Sequence, residues 1–291
     1  MGIPEGQKIV DLMMQIPDGT DRKDWYEFMK PLLMDKESQE VFKFPVQYMF
    51  KNIPSLSKTD DYVAAVVEEM DKYNVERAMV TVRFEDSDAR RALREYPSRF
   101  IGAYQVNPNR GMEGVRDLRR AAKELGIVAA SSFPCGLCPQ VPINDKKYYP
   151  LYAACIDLDI PIFVTCGVPG PRLPMGPQKV ELIDEVCWFF PELKFVMRHG
   201  GEPWEALAVK LMLKYPNLYY STSAFAPKYY PKAIMEFANT RGAKKVLYAG
   251  YFPMGLSLER IVRELNALPL RDHVWPLFLR ENAMRILKLE P

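Results

Sequence analysis

From Lys58 onward the chain repeats one pattern, and that repetition limits the folds open to it. Short apolar runs at 77–82, 101–106, 127–132, 161–166, 194–197, 218–221 and 245–249 are separated by segments with apolar residues at helical spacing. The runs are mostly apolar, as expected of buried strands. Helices are expected over 61–73, 87–96, 111–125, 148–158, 178–190, 203–215 and 228–240, with closing helices at 257–268 and 273–287. Thr59-Asp60-Asp61 caps the first of them. An earlier apolar stretch, 8–16, ended by Pro17, completes a set of eight strands. Strands alternating with helices imply a parallel sheet, and eight such units imply a closed (β/α)8 barrel.

One segment departs from the rhythm. Residues 18–58 are rich in aromatics and methionine, among them Trp25, Phe28, Met29, Met49 and Phe50, and are interrupted by Pro31, Pro45 and Pro54. They read as an insertion of short helices and loops after the first strand, which either covers a barrel end or forms a lid over an apolar ligand. The 25 prolines stand at segment ends instead of forming a linker, so residues 1–291 read as a single domain. With 39 basic and 37 acidic residues the net charge is +2, which leaves no electrostatic footprint for nucleic acid. No apolar run approaches the ~20 residues of a membrane span. Residues 1–8 are polar and do not read as a secretory signal. Five cysteines, an odd number in a chain of this size, point to reduced thiols and a cytoplasmic protein.

Several fragments, taken in order, carry a family resemblance. They are Glu69-Met-Asp-Lys-Tyr-Asn-Val-Glu-Arg-Ala, Tyr96-Pro-Ser-Arg-Phe-Ile-Gly, Tyr149-Pro-Leu-Tyr-Ala-Ala, Phe190-Pro-Glu-Leu-Lys-Phe, His199-Gly-Gly, Tyr215-Pro-Asn-Leu-Tyr and Glu281-Asn-Ala-Met-Arg-Ile-Leu. Their sequence and spacing resemble amidohydrolase family 2, the amidohydrolase-related decarboxylases, lactonases, hydrolases and hydratases. The resemblance runs over nearly the whole chain. It implies a TIM barrel, association into dimers or larger homo-oligomers, and an active site at the carboxyl ends of the strands. It also implies a divalent metal, held by His-x-His on the first strand, a fifth-strand His and an eighth-strand Asp. At the matching positions this chain has Met13, Gln15, Thr165 and Tyr251, and a fourth-strand His-Pro becomes Phe133-Pro134. A thioether and neutral amide or hydroxyl groups are poor donors for Zn²⁺ or Mn²⁺. The expectation is therefore that the usual metal is lost. An alternative is zinc held by Cys135, Cys138, Cys166 and His199.

His199 is the one expected imidazole left, in a chain with only two histidines. It is the candidate acid/base, with Tyr251 as proton donor or oxyanion partner, although a phenol of pKa ~10 is a poor base unaided. Met13, Gln15, Arg83, Tyr104, Gln105, Phe133 and Thr165 are candidate substrate-binding residues, Arg83 as a carboxylate clamp. Asn107 is a further polar candidate on the third strand. Arg198 is expected to face away from His199, Glu202 to serve the first turn of the following helix, and His273 to lie on the surface. Two functions remain open: a metal-independent hydrolase or carbon–carbon lyase acting on a small cyclic or carboxylated compound, or a non-catalytic barrel that binds a small ligand or acts as a scaffold subunit.

Overall fold

The computed structural model describes residues 2–17, 24–40, 46, 49, 59–85 and 87–290. Eight parallel strands follow one another around a curled sheet in chain order. They are β1 (Ile9–Asp11), β2 (Val75–Val82), β3 (Phe100–Gln105), β4 (Ala129–Ser132), β5 (Ile162–Thr165), β6 (Phe195–Arg198), β7 (Leu218–Ser221) and β8 (Val246–Leu247). Helices connect them, so the fold is the expected α/β barrel.

The two faces of each strand divide between two cores, as a period of two requires. Val10, Met79, Ile101, Ala129, Phe163, Val196, Tyr219 and Leu247, one from each strand, gather in a single cluster that fills the barrel. Their neighbours Ile9, Val80, Phe100, Ala130, Val164, Phe195, Tyr220 and Tyr248 face the helices instead. Met284 and Leu287, from the last helix (Asn282–Leu287), join the inner cluster and plug the amino end of the barrel.

The seam between β8 and β1 is made differently. No ladder joins the two strands; a single parallel bridge pairs Met14 with Phe252, and Gln15 N donates to Phe252 O at 3.3 Å. Beneath it the fully buried Asp11 takes hydrogen bonds from Gly250 N at 2.8 Å and Met13 N at 2.9 Å. The bond to its own chain two residues on is a local turn that ends β1 at Asp11, well short of the expected 8–16.

Other boundaries shift for local reasons. Asp61 caps its helix as expected, accepting from Ala64 N, and Ser87 caps the next, accepting from Arg90 N. The expected 203–215 helix begins only at Glu205 and runs to Lys214. The closing 273–287 segment is broken by a π turn, Leu277–Glu281, which frees Phe278 O to accept from Tyr248 N. No helix among the described residues is long and apolar enough to cross a membrane.

Candidate active site

Strand alternation aims one side chain from most strand ends into a cavity of about 1370 Å³ at the carboxyl end of the barrel. Thr81 and Arg83 point in from β2 and the loop after it, Gln105 from β3, Ser131 and Phe133 from β4, Thr165 from β5 and Tyr251 from the turn after β8. Met13 and Gln15 complete the floor below the seam. Tyr104 lies one position out of phase with Gln105. It faces the helix layer, where its ring packs 5.6 Å from Phe84, and it does not line the cavity. Asn107 instead caps a short turn through its side chain, accepting from Asn109 N.

β6 keeps its alternation to its last residue, and the chain departs from it only at His199. Val196 points inward and Met197 outward, so Arg198 points inward and lines the cavity, contrary to the expectation that it faces away. His199 follows with φ of 65°, a left-handed conformation uncommon for a non-glycine residue. That kink keeps His199 on the same wall as Arg198. Gly200 and Gly201 continue with φ of 90° and 68°. A Cβ at Gly200 would meet the Phe225 ring at 2.7 Å, so only glycine fits the turn.

The imidazole is held by β7 and its extension. Ser223 Oγ accepts from His199 N at 3.1 Å and lies 2.9 Å from Nδ1. Tyr220 donates from its hydroxyl to Gly200 O at 2.7 Å. The Tyr251 ring stands edge-on to the imidazole, 6.3 Å between centroids. Burial, reinforced by the charge of Arg198, holds His199 well below the ordinary imidazole range, so the ring is neutral near pH 7.

Glu202 also lines the cavity. The first-turn carboxylate of the next helix is Glu205, not Glu202 as expected. Burial, followed by the nearby charge of Glu205, raises the Glu202 carboxyl above the usual range. Cationic groups outnumber anionic ones on the lining, Arg83, Arg198, Lys228 and Arg260 against Asp88 and Glu202. Arg260 is engaged with Glu264 at 2.8 Å.

Over the mouth lies part of the 18–58 insertion. Phe28, Met29, Val46 and Met49 line the cavity, so this segment forms part of its roof. The side chain of Trp25 and all of Phe50 lie outside the described residues. Met29 and Leu33 pack on Cys135 and Leu173, and Arg172 pairs with Asp35 at 2.7 Å and Glu37 at 2.9 Å.

The residues at the family's metal positions do not fit a divalent ion. Met13, Gln15, Thr165 and Tyr251 offer no imidazole or carboxylate beside His199, and no group of three His, Cys, Asp or Glu side chains among the described residues could hold a metal. The cysteine alternative fails on geometry. Cys166 faces away from Thr165 and donates to Val164 O at 3.1 Å, Cys135 donates to Pro174 O at 3.0 Å, and Cys138 is exposed. Burial pushes the Cys135 thiol up to about 12, away from the thiolate a metal needs. All five cysteines are unpaired. His273 is exposed, as expected.

Residues 34–289 match the profile of the family described as amidohydrolase. The chain belongs to the amidohydrolase family. Among solved structures, it is similar to an uncharacterised TIM-barrel protein from Bordetella bronchiseptica, with TM-score 0.72 and 23% identity over 97% of this chain and 99% of that one. It is also similar to 5-carboxyvanillate decarboxylase from Novosphingobium aromaticivorans, solved with bound manganese, with TM-score 0.69 and 17% identity over 98% of each chain. Among curated proteins it resembles 2-keto-4-carboxy-3-hexenedioate hydratase from Sphingobium sp., 24% identical over 123 residues, which is 36% of this chain and only 36% of that protein's length. This member of the family thus has the barrel, with no metal-binding group among its described residues.

Two contributors to the site escaped the sequence reading: Ser223, and Arg198 as a wall residue. The polar run Ser221-Thr222-Ser223 directly after an apolar strand was the available signal for the first. Arg198 was legible from the phase set by Val196.

Proposed function

We propose that this amidohydrolase is a metal-independent enzyme, a hydrolase or carbon–carbon lyase acting on a small cyclic or carboxylated compound. The observation that carries this reading is a neutral, rigidly held His199 on a cavity wall beside Arg198, Glu202 and Tyr251. His199 exchanges a proton with the substrate, and Tyr251 donates to an oxygen that gains charge. Arg83 makes no ion pair or hydrogen bond among the described residues, so it is available to hold a carboxylate in bidentate fashion. Gln15, Gln105 and Thr165 orient the polar edge of the substrate, while Met13 and Phe133 enclose its apolar body. The relatives that decarboxylate or hydrate carboxylated compounds support the substrate class. Met13, Gln15, Thr165 and Tyr251 are poor donors for a divalent ion, so these roles fall to the side chains themselves. Family resemblance further proposes a homo-oligomer, which light scattering of the purified chain tests.

The test is a panel of carboxylated phenols and unsaturated carboxylic acids, followed by absorbance and by release of carbon dioxide. His199→Ala is expected to lower kcat roughly 10²–10⁴-fold on the compound that turns over, and Tyr251→Phe to lower it less. Full activity in both variants would refute these roles. A second reading, a binder without turnover, is favoured by one feature: Met13 and Tyr251 put bulk where the family's metal donors stand. Binding of a panel compound with no turnover would select it.

A further inference from the structure

We infer that Ser223 is a positioning residue for His199, turning its Nδ1 edge to the wall so that Nε2 alone faces the cavity in one tautomer. This rests on the proposed role of His199. Ser223 is fully buried and does not line the cavity, so it is not a nucleophile toward a bound compound. Its hydroxyl instead bridges two atoms of one residue, the main-chain N and ring Nδ1 of His199.

The two contacts act together. The first holds a left-handed backbone that a histidine adopts at a cost. The second fixes the ring on that backbone. Tyr220 secures the following peptide through Gly200 O, and Phe225 closes the space a side chain at Gly200 would need. The end of β7 and the residues after it therefore mould the turn that carries His199. With Nδ1 spent on Ser223, Nε2 is the nitrogen left to meet a substrate. Ser223 Oγ already accepts from His199 N, so its own proton is directed at Nδ1, and the neutral ring then carries its proton on Nε2 as a single tautomer.

The chain's two histidines make the test direct. Full-length protein carrying ¹⁵N-histidine gives two ring spin systems in long-range ¹H–¹⁵N spectra, one of which His199→Gln removes. The expected result is a neutral His199 ring near pH 7 with one pyrrole-like and one pyridine-like nitrogen, and intermediate, tautomer-averaged shifts in Ser223→Ala. Tyr220→Phe, which loosens the turn but keeps the hydroxyl at Nδ1, is expected to retain the single tautomer. Averaged shifts in the unmodified protein, or an unchanged tautomer in Ser223→Ala, would overturn the inference; should Ser223→Ala not fold, the unmodified protein's spectrum decides. On a compound that turns over, Ser223→Ala is expected to lower kcat roughly ten- to a hundredfold with KM unchanged. The spectra need no substrate, so absence of turnover would refute the proposed activity without touching this assignment.

Discussion

At the scale of single residues, His199 concentrates several unusual properties: a left-handed backbone, a hydroxyl at Nδ1, a neighbouring guanidinium and a depressed imidazole pKa. Its spectrum should therefore remain that of a neutral ring as pH falls through 6.5, the ordinary midpoint for histidine. Since the unfolded chain takes up that proton and the folded chain does not, His199 also costs stability as pH falls below about 6.5. A ring that protonates near 6.5 in a pH series of the ¹⁵N spectra would contradict both statements. Gly200 makes a second residue-scale test. With φ of 90° and Phe225 at 2.7 Å from the missing Cβ, Gly200→Ala is expected to destabilise by roughly 1–3 kcal/mol, read from the urea midpoint; an unchanged midpoint would show that the turn yields. The placement of His199 at a strand end was legible in the sequence, because an apolar run stops there before two glycines. Its partner was not, because Ser223 lies 24 residues on and only the parallel pairing of β6 with β7 brings the two strand ends side by side.

Among the elements, the shortest strands join at the seam where the barrel closes. Asp11 is buried without an opposing cation, and desolvation raises its carboxyl to about 6 despite the hydrogen bonds from Gly250, Met13 and Tyr248. The folded state therefore binds a proton more readily than the unfolded one, so the Asp11 contribution to stability is present below pH 3.8 and is lost as pH rises to about 6. A shift from 3.8 to about 6 corresponds to about 3 kcal/mol. The stability of Asp11→Asn relative to the unmodified protein should accordingly increase by about that amount between pH 4 and pH 7, in denaturant titrations at each pH; a difference independent of pH would be the contrary result. The roof behaves differently. Arg172, Asp35 and Glu37 are at least partly exposed, so their pairs contribute little to global stability. Arg172→Ala should change unfolding free energy by less than about 1 kcal/mol while speeding hydrogen exchange in residues 24–40. Unchanged exchange there would mean that the apolar contacts of Met29 and Leu33 hold the roof alone. Sequence pattern gave the existence and order of these elements but not their ends. The local turn at Asp11 and the π turn at Leu277–Glu281 involve bonds to distant residues just after β8, Gly250 and Tyr248.

For the molecule as a whole, the barrel was legible because it rests on a repeated pattern: eight apolar runs, each one layer of the same inner core. The site was legible only in outline. Strand-end positions identify which residues face the cavity, and Tyr104 shows that an error of one residue reverses the answer. This chain has the family's barrel with His199 in a mouth lined also by Met13, Gln15, Thr165 and Tyr251. Metal independence of this mouth is tested by elemental analysis of protein purified without chelator, alongside His199→Ala. Zinc, manganese and iron are expected well below one per chain in both preparations; a stoichiometric metal that disappears with His199 would contradict metal independence.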